Sequence, residues 1–476
     1  MIELKFIGAA QTVTGSKHLL RTSRAKVLLD CGLFQGHRQE AQEKNKNFSM
    51  NGDHLDAIVL SHAHIDHSGA LPCIYKNGYR GPIYATPATR DLCSPMLMDT
   101  AWIMKGDAEH IERLIARGER NVEPIEPLYG EYEVNETLSL FQEIPYHHPQ
   151  NIAPGVTLTF YEAGHVLGSA ISVLAVEDEG QKIRLCFTGD LGRKHLPILR
   201  SPEVPEGITH LLMESTYGDR LHAPIDLTTD LLAEVINRTY QRGGKIIIPS
   251  FALERAQEVI YALKKLHEQK RIPLIPVYVD SPLTVKLTDI FKLHPECYDA
   301  ETLALLHSQN SPFDFPGLTY VSTVEESKKI SSSTQPSIVI SASGMCEGGR
   351  VLHHLLATIS DPKNTILMVG FQAEHTLGRR IEENHPEVKI YGVLRRLEAE
   401  VCVLHGFSGH ADQHGLLRFA EAVQSKGQLE KVFLVHGEPK SQETLKAKLQ
   451  ELKIPSVENP GPGALKRILN SAASGR

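Results

Sequence analysis

The densest chemistry in this 476-residue chain is the run Ser61-His62-Ala63-His64-Ile65-Asp66-His67. Imidazole nitrogens and carboxylate oxygens are the donors that zinc takes in a tetrahedral or slightly expanded shell. His62 and His64 stand two residues apart, so an extended backbone sends both to one side. Asp66 and His67 then turn toward a second position. Four ligands drawn from six residues cannot crowd onto one ion with good geometry, and the spacing favours two metals side by side. A chance histidine cluster in a loop is the bland alternative. It accounts poorly for this pattern set directly behind an apolar run.

Ligands this close need rigid elements to aim them. Short apolar runs ending in polar or glycine turns recur at 26–29, 55–60, 157–161, 184–187, 210–213, 401–404 and 432–435, and they predict strands. Asp30, His62, His165, Asp190, Glu214, His410 and His436 each lie just past such a run. Singly, each has an ordinary alternative: an Asp after a strand is commonly a turn or cap residue, and a His near glycines is commonly just exposed. Strand ends are nonetheless where a fold aims side chains from distant positions at one point.

The texture changes between about 218 and 403. A strand at 245–248 leads into a helix at 253–268. A strand at 274–279 turns at Asp280–Pro282 before a helix at 285–293. A strand at 337–341 is followed by a glycine-rich turn and a helix at 349–357, and 365–370 begins the pattern again. Strands alternating with helices imply parallel βαβ units, so this stretch reads as an inserted α/β domain. The Ser-rich segment 331–336 reads as an exposed connection, and the tail from Asn470 as frayed.

A chain of this length fits two or three domains. With 41% apolar and 22% charged residues it matches ordinary globular proteins, which excludes a disordered or fibrous class. The formal net charge of −7 counts mildly against a nucleic-acid binder, whose footprint is usually basic. Bound cations and a locally basic cleft can offset it. The seven cysteines form no CxxC pair, which predicts reduced thiols and a cytoplasmic protein. Met1 to Gly8 reads as a short apolar strand rather than a signal peptide. No stretch of about 18 apolar residues occurs, so no membrane span is expected.

On the HxHxDH run the sequence resembles the metallo-β-lactamase superfamily, and the family's other motifs match one by one. Asp30, in Leu28-Leu29-Asp30-Cys31-Gly32, matches an aspartate that orients a ligand histidine. His165, in Ala163-Gly164-His165-Val166-Leu167-Gly168-Ser169, matches the third-motif ligand. Asp190, in Phe187-Thr188-Gly189-Asp190, matches the carboxylate that bridges both metals. The resemblance implies one zinc on His62, His64 and His165, a second on Asp66 and His67, and a bridging water or hydroxide.

Three further motifs resemble the β-CASP branch, the nucleases of RNA maturation and DNA repair. Within it the chain is similar to the nuclease subunit of the cleavage and polyadenylation specificity factor and its prokaryotic relatives. Glu214, in Leu212-Met213-Glu214-Ser215-Thr216-Tyr217-Gly218, matches the first motif, and His410, in Phe407-Ser408-Gly409-His410-Ala411-Asp412, the second. His436, in Leu434-Val435-His436-Gly437-Glu438, matches the third. RNA-processing members carry a zinc-ligating histidine there and the DNA-repair branch usually does not, so His436 favours RNA. The ordinary alternative is a buried histidine behind a core strand. The resemblance covers nearly the whole chain. It implies an α/β fold: a metallo-β-lactamase αββα sandwich from residues 1–217 and 404–476, interrupted by a Rossmann-like β-CASP domain at 218–403.

The insert carries family-like segments of its own. In Pro249-Ser250-Phe251-Ala252-Leu253-Glu254-Arg255-Ala256-Gln257, Arg255 reads equally as a phosphate contact or as a helix-surface arginine. Ser343 stands in Ser341-Ala342-Ser343-Gly344-Met345-Cys346-Glu347-Gly348-Gly349-Arg350, a glycine-containing loop able to approach a nucleic-acid backbone; alone it would be only a loop. The segment Phe371-Gln372-Ala373-Glu374-His375-Thr376-Leu377-Gly378 departs from the family pattern, which commonly has glycine where His375 stands. That bears on loop shape and not on the metal ligands.

The implied activity is that of a zinc-dependent ribonuclease on single-stranded RNA, acting as endonuclease, 5′-to-3′ exonuclease or both. Two zinc ions clamp the phosphodiester and lower the pKa of the bridging water, whose hydroxide attacks phosphorus. His410 is the candidate acid for the leaving sugar oxygen, with Glu214 favouring its charged form. Products would carry a 5′-phosphate and a 3′-hydroxyl. Ser408, at an expected helix N-terminus, offers a phosphate seat. Glu214 as a mere anchor for His410 is the structural alternative. A small-molecule hydrolase acting on a lactam, lactone or thioester explains HxHxDH but not Glu214, His410, His436 or the long insertion. A non-catalytic RNA scaffold does not fit a chain retaining all seven ligands. A diiron oxidoreductase does not fit His64 or the lack of a flavodoxin-like segment. A homodimer is implied by resemblance alone, and protein partners are left open.

Overall fold

In the strands Ile2–Gly8 and Val156–Glu162 every second side chain is buried, the signature of a sheet with one face on a core. The computed structural model describes residues 1–36, 38–46, 52–118 and 123–468, and the tail from Asn470 lies outside them. The described chain divides into two compact units, one of residues 1–194, 201–221 and 410–476, the other of 195–200 and 222–409.

The first unit holds two seven-stranded sheets. One runs Leu465–Ile468, Ile2–Gly8, Lys17–Arg21, Lys26–Leu29, Ala57–Val59, Ile83–Ala85, Phe141–Glu143. The other runs Val457–Glu458, Lys431–Val435, His210–Glu214, Gln181–Phe187, Ala170–Asp178, Val156–Glu162, Gln150–Ala153. Leu4, Phe6, Leu20 and Val59 of the first sheet meet Phe160, Leu174, Phe187 and Phe433 of the second in one core. The far side of the second sheet packs against Leu416 and Phe419 of the helix Gln413–Ser425 and Leu445 and Leu449 of the helix Pro439–Glu451. Leu71–Lys76, Pro87–Ala116 and Glu131–Leu138 form a second group of packed helices.

The parallel pairs decide where chemistry can sit. Lys26–Leu29 runs parallel to Ala57–Val59, and His210–Glu214 runs parallel to both Gln181–Phe187 and Lys431–Val435. Their C-terminal ends therefore deliver Asp30, His62, Asp190, Glu214 and His436 from chain positions hundreds of residues apart.

The second unit is a six-stranded, all-parallel sheet in the order Leu318–Tyr320, Val277–Val279, Ile338–Ser341, Ile246–Pro249, Thr365–Met368, Glu400–Val403. Ile246–Pro249, Ile338–Ser341 and Thr365–Met368 are buried at every residue, as strands covered on both faces must be. Ser281 starts the helix Pro282–Leu293 by accepting from Thr284 N, with Pro282 in the first turn. One expectation shifts: Ser331 and Ser332 end the helix Val324–Ser332 rather than opening a connection. His375 adopts φ +68°, in the left-handed region that glycine occupies without cost, and its side chain is exposed. All seven cysteines are free. No helix among the described residues is long and apolar enough to cross a membrane.

Candidate metal centre

Asp30 follows Lys26–Leu29 in a left-handed turn (φ +58°), with its amide donating to Val59 O at 2.9 Å. Its fully buried carboxylate accepts from Ser61 N at 2.8 Å, Ser61 Oγ at 3.0 Å, Ser16 Oγ at 3.1 Å and His67 Nδ1 at 2.6 Å. Ser61 Oγ, having donated to Asp30, accepts from His62 Nδ1 at 3.0 Å. One carboxylate thus holds the Nδ1 proton of His67 directly and that of His62 through Ser61, and turns each Nε2 toward the other donors. The one-turn helix Ile65–Ser68 carries Asp66 and His67 and sets the His67 ring beside that of His62, with centroids 4.1 Å apart. Ser169 Oγ accepts from His165 N at 3.0 Å. Gly189 (φ +54°) turns the chain into Asp190, where a Cβ would stand 2.6 Å from Ser61 Cβ.

Two clusters of donor atoms result. In the first, His64 Nδ1 lies 3.1 Å from His62 Nε2 and 3.3 Å from His165 Nε2. In the second, His436 Nε2 lies 3.3 Å from His67 Nε2 and 3.4 Å from Asp66 Oδ2. Asp190 Oδ2 stands between them, 3.5 Å from His62 Nε2, 3.5 Å from His165 Nε2 and 3.4 Å from His67 Nε2. Donors about 2.0–2.1 Å from a tetrahedral ion are spaced about 3.3–3.4 Å apart. A ring nitrogen carries one proton or one lone pair, so His64 Nδ1 cannot satisfy both neighbours by hydrogen bonding, whereas one cation facing all three nitrogens can. The buried Asp190 Oδ1 accepts no hydrogen bond among the described residues, a costly state for a carboxylate without a cation. The donor set fits divalent metal.

The electrostatics agree. Burial first, and the neighbouring His67 after it, push the pKa of His64 down to about 4 and hold that of His62 well below its ordinary value, so both are neutral lone-pair donors. Burial also opposes charge on His67, but Asp190, Asp30 and Asp66 outweigh it and hold its pKa well above the ordinary value. Three carboxylates around one ring make this a place of strong attraction for positive charge.

His410 belongs to the same unit. Its loop is fixed by Ala411 N donating to Leu191 O at 2.7 Å and by a bridge to Gly192. His410 Nδ1 lies 3.1 and 3.2 Å from the two oxygens of the buried Glu214. Nε2 points the other way, 3.9 Å from Asp190 Oδ2. Burial lowers the pKa of His410, but Glu214 and Asp190 more than reverse it, to about 9.

The three proposed substrate contacts lie in the second unit. Arg255 is buried and paired with Glu258, so it is not a helix-surface arginine. Ser343 Oγ accepts from Glu347 N at 3.3 Å. Ser408 is not at a helix N-terminus: it follows the short 3₁₀ turn His405–Phe407, and the next helix, Gln413–Ser425, is capped by Asp412, which accepts from Gly415 N. Sequence reasoning missed Ser16, Ser61 and Thr216, whose hydroxyls touch Asp30, His62 and His436. Ser61 and Thr216 stand beside His62 and Glu214 in the sequence, whereas nothing near Ser16 marked it.

Three family models match: a metallo-β-lactamase superfamily domain over residues 19–187, a Beta-Casp domain over 256–381, and a Zn-dependent metallo-hydrolase RNA specificity domain over 395–457. Ribonuclease TTHA0252 of Thermus thermophilus is 37% identical over 431 residues, 90% of this chain and 92% of that protein. Transcription termination factor FttA of Methanosarcina mazei is 31% identical over 453 residues, 92% of this chain and 67% of that protein. A crystal structure of a protein of unknown function from Enterococcus faecalis V583 covers 98% of this chain and 99% of its own, with TM-score 0.54 and 12% identity, a likeness of fold alone. With its two donor clusters at the strand ends and its matched insert, the chain belongs to the β-CASP branch of the metallo-β-lactamase superfamily.

Proposed function

We propose that this protein is a ribonuclease that hydrolyses phosphodiester bonds of single-stranded RNA with two zinc ions. One ion would be held by His62, His64 and His165, the other by Asp66, His67 and His436, with Asp190 between them. The observation that carries the reading is the His410–Glu214 pair set beside Asp190, in a chain 37% identical to a named ribonuclease over most of its length. A lactam, lactone or thioester hydrolase would leave that pair without a task.

When bound, the two cations supply Lewis acidity to the phosphoryl oxygens and an acidified water. The chain's own residues do the rest. Asp30 and Ser61 keep the His67 and His62 rings aimed. Glu214 holds Nδ1 of His410 and keeps the ring protonated near neutral pH, leaving Nε2–H as the donor. As the bond from phosphorus to the 3′ oxygen breaks, that proton passes to the oxygen, leaving a 3′-hydroxyl and a 5′-phosphate. Burial of Glu214 and Asp190 keeps the local dielectric low and strengthens both interactions.

The test is a substrate panel. Zinc-loaded protein is incubated with 5′-labelled single-stranded RNA, the matched DNA strand and a β-lactam. Cleavage of RNA, weak action on DNA and an intact lactam are expected; turnover of the lactam with RNA untouched contradicts the proposal.

A further inference from the structure

Thr216 has no part in the chemistry above, yet its hydroxyl touches a ligand histidine. Thr216 Oγ1 lies 3.1 Å from His436 Nδ1 and 3.1 Å from the His436 carbonyl oxygen. A hydroxyl has one proton and a carbonyl can only accept, so Oγ1–H donates to the carbonyl. Its lone pair then accepts from the Nδ1–H of His436. Asp190 Oδ1 lies 3.2 Å from the same nitrogen but accepts no hydrogen bond among the described residues, so Thr216 is the acceptor with the right alignment. With the proton on Nδ1, the lone pair resides on Nε2, the atom that faces His67 and Asp66.

The backbone makes this contact rigid. His436 sits at φ +48°, its amide donating to Ala9 O at 2.7 Å and its carbonyl accepting from Ser215 N at 3.1 Å. Thr216 N donates to Glu214 Oε2 at 3.3 Å. Thr216 is thereby anchored between the carboxylate that serves His410 and the ring that serves the second donor cluster. Ser61 holds the same relation to His62 in the first cluster, donating to an obligate acceptor and accepting from Nδ1.

We infer that Thr216 is a positioning residue: its hydroxyl holds His436 in the tautomer that can bind a divalent cation at the Asp66–His67–His436 position. The inference rests on the metal reading of that cluster. Without the hydroxyl, the other tautomer becomes available, with Nε2–H donating toward Asp66 and no lone pair facing the cluster.

The experiment compares the full-length wild type with Thr216→Val, which keeps the side chain's shape, and Thr216→Ser, which keeps the hydroxyl. Each is stripped with chelator and titrated with zinc against a chromophoric competitor, and metal-free thermal midpoints are recorded alongside. Wild type is expected to show two tight sites. Thr216→Val should weaken one site by about 10–100-fold and leave the other unchanged. Thr216→Ser should restore it, and the metal-free midpoints should agree. Unchanged affinities in Thr216→Val overturn the inference. So does a loss at both sites that tracks a lowered metal-free midpoint and is not rescued by serine. A wild type that binds no zinc overturns the metal reading itself, and the inference falls with it.

Discussion

His410 and Glu214 face each other with Nδ1 at 3.1 and 3.2 Å from the two carboxylate oxygens, while Nε2 of the same ring stands 3.9 Å from Asp190 Oδ2. One nitrogen is bound to a buried anion and the other is turned to the donor clusters. The division is the geometry that the proposed acid role of His410 requires.

Removing the donor, in His410→Ala, should lower kcat by about 10²–10⁴ with both zinc ions retained. Glu214→Gln removes the charge that raises the pKa of His410. Because the acid must be protonated to act, activity is lost as pH rises through its pKa, and the basic limb of the pH–rate profile should move to lower pH in Glu214→Gln. A variant with lower activity but an unmoved limb would assign Glu214 a structural role only.

Asp30 accepts four hydrogen bonds, and asparagine turns one acceptor atom into a donor. Asp30→Asn should cost about 1–3 kcal/mol of stability from the unmatched buried group. It should also weaken zinc at both positions, since its partners lead to His62 and His67. Chemical denaturation and metal analysis check the two effects separately; loss at one position alone would break the shared-anchor argument.

Gly189→Ala and Gly180→Ala separate two costs. Both glycines have positive φ, but a Cβ at Gly189 would stand 2.6 Å from Ser61 Cβ and one at Gly180 meets open space. Gly180→Ala should cost about 1–2 kcal/mol for the backbone conformation. Gly189→Ala should cost distinctly more and reduce zinc content, because Ser61 and Asp190 must shift. Equal midpoints for the two variants would contradict this.

Glu400 lies between Arg238 Nη2 and Arg242 Nη2, each at 2.6 Å. Burial raises its pKa, but the two guanidiniums outweigh it and hold it at about 2. Its stabilising contribution is therefore present above the unfolded value of about 4.3 and is lost as pH falls toward about 2. The carboxylate is 30% exposed, so screening limits the effect to about 1–2 kcal/mol. Acid titration of unfolding should show wild type losing between those pH values a margin that Glu400→Gln never had; parallel curves would remove the ion pair's contribution.

The site was legible where its residues are contiguous or end a strand. His62, His64, Asp66 and His67 announce themselves by type and spacing, and the parallel strands behind them are plain apolar runs. Thr216 was not legible: its bond to His436 exists only because His210–Glu214 and Lys431–Val435 pair in parallel, two hundred residues apart. Ser408 misled because the helix waits for Asp412, whose side chain caps it. The 30-residue helix Pro87–Ala116 leaves a weak trace, since Pro95 stands inside it and Trp102 and Ile103 are exposed. Arg255 carried no mark of its burial, which depends on Glu258 one turn along.

The most direct test of a two-zinc ribonuclease is single-turnover cleavage of 5′-labelled single-stranded RNA by loaded, chelator-stripped and zinc-reconstituted protein, with metal content measured on each sample. The account predicts cleavage by the loaded protein, none by the stripped protein, and recovery that follows the second equivalent of zinc. Equal cleavage by stripped protein, or intact RNA with two equivalents bound, would contradict it.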